Sequence, residues 1–233
     1  MGIMWNLGNP YQMLTRLALF DLDNTLLAGD SDNAWGEFLI RKRLVDEDSH
    51  RTQNNEFYKH YLGGVLDIHA YVQFTLSPIS DYSKLQRESL RAEFVEEEVL
   101  PMILEEGKQL VNRHRNVGDC CVIITATNSF ITNPIAEQFK VDKLLATDLE
   151  VINDRFTGNI TGTPCYKEGK LEKLEQWLSL NKNIALNNSI FYSDSINDMP
   201  LLEKVAEAVA VDPDEKLSQA SQEKGWPIIS LRN

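Results

Sequence analysis

Two aspartates, Asp21 and Asp23, close an apolar run that reads Leu17-Ala-Leu-Phe-Asp-Leu-Asp-Asn-Thr-Leu-Leu. Side chains of a strand alternate faces, so residues two apart share a side for as long as the strand continues. Where the chain bends into a loop, both carboxylates crowd one pocket at the strand's carboxyl edge. Acids that close repel each other unless a cation lies between them or one holds a proton. A chain that keeps such a pair beside an Asn-Thr turn is built for chemistry that uses a bound cation or a held proton rather than for filling space.

Three further groups have types that fit this chemistry. Thr125 ends Val-Ile-Ile-Thr-Ala-Thr-Asn, where its hydroxyl, small Ala126 and the N–H groups of a helix start form donors for an anionic oxygen. A Thr or Asn capping the helix from Phe130 reads the same way. Lys170 opens a helix in Tyr-Lys-Glu-Gly-Lys-Leu-Glu-Lys-Leu. The helix dipole disfavours a lysine there, and Lys167 competes for the same role. Asp194 and Asp198 fall in Phe-Tyr-Ser-Asp-Ser-Ile-Asn-Asp-Met-Pro. Acids at a strand–loop junction suit Mg²⁺, which accepts one or two carboxylates and keeps several waters. A plain turn rich in Asp, Ser and Asn has the same composition.

The elements that must position these groups are legible as alternation. Strands are expected at Leu17–Phe20, Cys121–Thr125, Lys143–Thr147 and Ser189–Tyr192, with helical patterns between them. That order predicts a parallel α/β sheet with helices on both faces, whose ligands bind outside the strands' carboxyl ends. Residues 30–101 break the alternation and read as helices at Asn33–Leu44, Gln53–Leu62, Ile68–Leu76 and Ser83–Val99. An Asn153-Asp154 turn between alternating apolar residues predicts a hairpin. Lys170–Leu180 and Pro200–Glu207 read as helices, and Trp226-Pro-Ile-Ile as an edge strand.

The joint order of Asp-x-Asp-x-Thr, Thr, Lys and Asp-x-x-x-Asp, each after an α/β break, resembles the haloacid dehalogenase superfamily of phosphohydrolases. Helices directly after the first motif resemble the cap of its phosphoserine phosphatase-like branch. The resemblance implies a three-layer, doubly wound, Rossmann-like core over 14–29 and 102–233, a helical cap over 30–101 and a leader over 1–13. It implies a Mg²⁺-dependent phosphatase that hydrolyses a small-molecule phosphomonoester through an aspartyl-phosphate. Asp21 would be the nucleophile and Asp23 the general acid and base. Thr125, Ala126 and Lys170 would hold phosphoryl oxygens, and Asn197 would touch phosphate or substrate. Asp194, Asp21 and the Asp23 carbonyl would bind the metal, with Asp198 supporting that shell.

Some positions depart from the pattern. Thr125-Ala126-Thr127 replaces Ser-Gly-Gly, and Ser193 replaces a Gly. Asp30 stands where phosphoserine phosphatases carry an amine-contacting Glu, which keeps the charge but shortens the reach. Among amine- or imidazole-bearing substrates that change tells against phosphoserine and leaves an amino-alcohol phosphate or histidinol phosphate, with Trp35 near the cap's mouth either packing on the substrate or serving as a core aromatic. Alternative readings are a phosphotransferase or phosphomutase of the same superfamily, a phospho-accepting signalling domain, and an inactive binding module.

Composition narrows the classes. At 233 residues with a net charge of −12, the chain is poorly suited to nucleic acid, whose phosphates require clustered Lys and Arg. No apolar stretch reaches bilayer-spanning length. The first residues lack a secretory pattern, and the three cysteines have no metal-ligand spacing, which together point to the cytoplasm. His50, His60, His69 and His114 carry no assigned role. Without a heptad seam, a monomer or small homo-oligomer is expected.

Overall fold

The computed structural model describes residues 15–232, so the leader expected over 1–13 lies outside the described residues. The first strand, β1 (Thr15–Phe20), leads through a loop to α1 (Ser31–Arg41), α2 (Glu47–Leu62), α3 (Ile68–Leu76) and α4 (Lys84–Phe94). A π-helical turn, Val95–Val99, and the short α5 (Leu100–Met102) bring the chain back to α6 (Glu105–Asn116). Then follow β2 (Cys120–Asn128), α7 (Ser129–Phe139), β3 (Lys143–Thr147), the hairpin β4 (Leu149–Ile152) and β5 (Arg155–Ile160), and α8 (Glu168–Leu180). The chain ends with β6 (Ile184–Ser193), α9 (Met199–Leu202), β7 (Glu207–Val211), α10 (Glu215–Lys224) and β8 (Ile228–Ile229).

Six strands form one parallel sheet in the order β3-β2-β1-β6-β7-β8. Leu17, Ala18, Leu19 and Phe20 of β1 are wholly buried because helices cover both faces, which is why the run is apolar throughout rather than alternating. Leu17 and Leu19 join a core with Leu174 and Leu217, under α8 and α10. Ala18 and Phe20 join the opposite core with Leu110, Ile131 and Ile135, under α6 and α7. The result is a three-layer doubly wound sheet.

Trp35, Phe38 and Phe94, all fully buried, continue the second core into the helical segment. The Trp35 and Phe38 rings lie 5.1 and 5.5 Å from that of Phe94, so Trp35, fully buried, is a core aromatic with no face open to substrate. The two ends of the helical segment are stitched together by a Leu27–Ile103 bridge and by Ala28 N–H donating to Met102 O at 2.7 Å. Two expectations need correction. The helix expected over Pro200–Glu207 stops at Leu202, and Glu207 begins β7, whose Glu-Ala-Val-Ala-Val run is short enough to pass for a helix end. The long helix expected to Val99 changes to π geometry after Phe94, ahead of Pro101, which has no N–H to donate. Among the described residues no helix is long and apolar enough to cross a membrane.

Candidate active site

The sheet's carboxyl edge carries four loops that converge. Asp21 N–H donates to Tyr192 O at 2.9 Å, prolonging the β1–β6 ladder by one residue before the chain turns. Asn24 makes that turn with φ of 57°, a left-handed conformation that Asn tolerates better than most residues. The turn returns Thr25, fully buried, beneath the acids. Its Oγ1 lies 3.2 Å from Asp21 Oδ2 and 3.1 Å from Asp194 Oδ1, and it accepts the Asp194 N–H at 3.1 Å. A hydroxyl carries one proton, so Thr25 can donate to only one of these two carboxylates at a time.

Lys170 reaches the pair from α8. Its Nζ donates to Asp21 Oδ1 and lies equally close to Asp198 Oδ1, both at 2.7 Å, and it is only 3% exposed. Gly169 makes this approach possible: a Cβ there would sit 2.0 Å from the Pro164 carbonyl oxygen. Burial pushes the Lys170 pKa down, but the charges of Asp198 and Asp21 outweigh it and hold the ammonium well above its usual value. Lys167, the other candidate, instead donates to the Gly64 carbonyl at the end of α2. Replacing Lys170 by Met leaves Asp21 and Asp198 buried without their cation. We expect a loss of about 3–5 kcal/mol in unfolding free energy, read by denaturant unfolding in chelator.

Asp23 is held apart from Asp21 by different partners. It accepts from Ser31 N–H at 2.7 Å and from Thr127 Oγ1 at 2.8 Å, with Thr125 Oγ1 at 3.4 Å. The helix-cap alternative for Thr125 falls away, because Asn128 caps α7 by accepting from Ile131 N–H at 3.2 Å. Burial first, then the charge of Asp30, push the Asp23 carboxyl up to about 6. The carboxylate repulsion expected from the sequence therefore acts as the second cause and comes from Asp30.

Asp194 sits beside Asp21 and Asp198, and partial burial first, then their charges, hold its carboxyl well above the usual range. Asp198 is pushed to about 6 by burial despite Lys170, and accepts from Ser193 Oγ at 2.7 Å. Asp214 braces this loop by accepting from Ile196 N–H at 2.8 Å. Asn197 spends its amide on the Tyr61 carbonyl at 3.1 Å, tying α2 to the acid loop. Asp30 N-caps α1, accepting from Asn33 N–H at 2.9 Å. Asp21, Asp23, Asp30, Thr125, Ala126, Lys170, Asp194, Asn197 and Asp198 all border one cavity of about 270 Å³.

Comparison with known proteins gives the chain's family and fold. The profile of the haloacid dehalogenase-like hydrolases matches residues 18–203. The chain belongs to that family. It is 43% identical to a protein named histidinol-phosphatase from Neisseria meningitidis serogroup C, over 94% of this chain and all of that one. A crystal structure of a Bordetella pertussis protein of unknown function superposes with a TM-score of 0.86 at 40% identity, covering 93% of this chain and 99% of that one. A substrate-bound phosphoserine phosphatase shares the fold, with a TM-score of 0.67 at 18% identity over 94% of this chain and 93% of that one. This haloacid dehalogenase-like chain is thus a phosphoric monoester hydrolase.

Phosphatases of the family generally depend on Mg²⁺. The donor set fits such an ion. Among the described residues no three of His, Cys, Asp and Glu gather as a ligand set, but Mg²⁺ needs only one or two carboxylates beside carbonyl and water. Asp21 and Asp194 both lie within 3.2 Å of the Thr25 hydroxyl, and Lys170 pairs with Asp21 and Asp198 while no lysine pairs with Asp194 among the described residues. Thr127 and Ser193 entered the sequence reading only as departures from the family pattern, Thr25 only as a motif position, and Asp214 not at all. The signal for Thr25 is its place as the Thr of Asp-x-Asp-x-Thr, and that for Thr127 and Ser193 is a hydroxyl where the family pattern has Gly.

Proposed function

We propose that the enzyme is a Mg²⁺-dependent phosphatase for a small phosphomonoester bearing an amine and an imidazole, histidinol phosphate, with the helical segment 30–101 as its cap. One observation carries the choice of substrate. Among the described residues lining the cavity the only cations are Lys170 and Arg232. Lys170 pairs with Asp21 and Asp198, and Arg232 with Asp212 at 3.1 Å. A substrate carboxylate, as in phosphoserine, meets no free cation and faces Asp30 and Asp32. A substrate whose remaining charges are positive is favoured there. The identity to the Neisseria meningitidis protein named histidinol-phosphatase supports the same reading.

Each residue then has a chemical role. The Asp21 carboxylate attacks phosphorus as the bond to the alcohol oxygen breaks, and protonated Asp23 supplies the leaving oxygen with its proton. Water next attacks the aspartyl-phosphate, giving its proton to the Asp23 carboxylate, and Asp21 is regenerated as phosphate leaves. Lys170, Thr125 and the backbone at Ala126 meet the phosphoryl oxygens, and Asn197 lies beside them. Asp21, Asp194 and the Asp23 carbonyl would hold Mg²⁺, with Asp198 behind them. When bound, the metal offsets the negative charge that would otherwise keep a carboxylate away from a phosphate dianion.

The test is phosphate release from histidinol phosphate, phosphoserine, phosphoethanolamine, nucleotides and sugar phosphates, with Mg²⁺ and with chelator. We expect kcat/KM for histidinol phosphate to exceed that for phosphoserine by at least about 10-fold, and chelator to abolish release. A preference for phosphoserine would overturn the substrate assignment. Failure to release phosphate without an acceptor would favour a phosphotransferase.

A further inference from the structure

The motif residues account for the floor of the cavity, whereas its α1 side holds an acid they do not use. Asp30 caps α1, Ser31 N–H donates to Asp23, and Asp32 follows, lining the same cavity. Asp32 Oδ1 is fully buried and has no hydrogen-bond partner. A buried acceptor without a donor is costly, and more so when it belongs to a carboxylate. An acidic residue in the first turn of a helix also favours the dipole, but that effect requires neither burial nor an unpartnered oxygen.

The surroundings of Asp32 suggest what completes it. Tyr71 lines the cavity close by, and the charge of Asp32 adds to burial in raising its hydroxyl pKa. Phe57 packs against Tyr71 with ring centroids 5.2 Å apart and borders the cavity too. An acceptor beside aromatic walls suits a flat, positively charged ring that donates an N–H and presents its face to an aromatic neighbour. Asp30 differs, because its Oδ1 already accepts from Asn33 N–H.

We infer that Asp32 is a specificity-determining residue that accepts a hydrogen bond from the substrate's imidazole N–H, while Asp30 faces the amine. This inference rests on the substrate reading proposed above and assigns the second nitrogen-bearing group its partner. The site therefore selects phosphate esters with two nitrogen groups, one of them a planar ring.

The deciding measurement is the ratio of kcat/KM for histidinol phosphate to that for 2-aminopropyl phosphate, which keeps the amine and lacks the ring. Asp32→Asn should lower this ratio by about 10- to 100-fold, the loss expected when a charge-assisted hydrogen bond is removed. Asp30→Asn should weaken both esters and move the ratio much less. The melting temperature of Asp32→Asn should not fall, because burial and the charges of Asp30 and Asp23 already hold the Asp32 carboxyl well above its usual range and an amide carries no charge to repel them. An unchanged ratio, or equal losses on both esters with a lower melting temperature, would overturn the inference. If the wild-type enzyme hydrolyses other esters but not histidinol phosphate, the substrate reading fails. Calorimetry with histidinol then decides Asp32 by itself: weaker binding in Asp32→Asn supports the ring site, and no binding by the wild type removes it.

Discussion

Phosphate release by the Asp21→Asn protein is expected to fall by at least about 10⁴-fold, the scale seen when a covalent nucleophile is removed. An amide offers no anionic oxygen to attack phosphorus, and its N–H₂ adds donors to a site where Lys170 already donates to Asp21. The fold should survive, because Lys170 keeps Asp198 as a buried partner at 2.7 Å. Acid-quenched wild-type enzyme given labelled substrate should carry phosphate on the protein, and the variant should carry none. Melting of the variant in chelator checks that it is folded. Full metal-dependent turnover by Asp21→Asn would remove the nucleophile assignment and move attention to the neighbouring acids.

The second large effect belongs to Asp23. Asp23→Asn should cost about 10²–10⁴-fold with an alkyl phosphate, the usual contribution of a positioned acid or base. The first displacement should recover with a nitrophenyl ester, whose leaving group needs no proton. The second should not, so labelled phosphate should then accumulate on Asp21. The pH profile supplies the sign. Burial and the charge of Asp30 favour the protonated form and push the Asp23 carboxyl up to about 6. Below that pH the residue holds the proton the alcohol needs, and above it the acid form is depleted. Wild-type kcat/KM for an alkyl ester should therefore decline as pH rises past about 6. The substrate's own second ionisation falls in the same range, so the decisive comparison is between proteins. The decline should flatten in Asp23→Asn, and an identical profile in both would assign the acid elsewhere.

Both expectations originate in an acid pair visible in the chain, yet the two acids turn out to have separate surroundings. Asp21 is held by Lys170 and Thr25, while Asp23 is held by Ser31 and Thr127. Spacing along a strand indicates that two side chains reach the same edge, but not which donors wait there. The same division explains the fold. β1 and β6 were legible because parallel strands covered on both faces must be apolar along their length. β7 was missed because five residues following a short helix carry too little periodicity to separate strand from helix.

The order of acidic, hydroxyl and basic residues at the ends of apolar runs is a property of the chain, and by itself it determined the parallel α/β architecture and the class of chemistry. Local backbone preference and burial pattern suffice for that, since both act over a few residues. Tertiary structure alone decided the contacts between distant segments. It brought Lys170 across 149 positions to Asp21 while directing Lys167 to Gly64. It made burial the first cause of the raised Asp23 carboxyl, and it left Asp32 with one buried, unpartnered oxygen near Tyr71. These are matters of desolvation and distance, set by how separate loops pack over the sheet edge, and no local pattern records them.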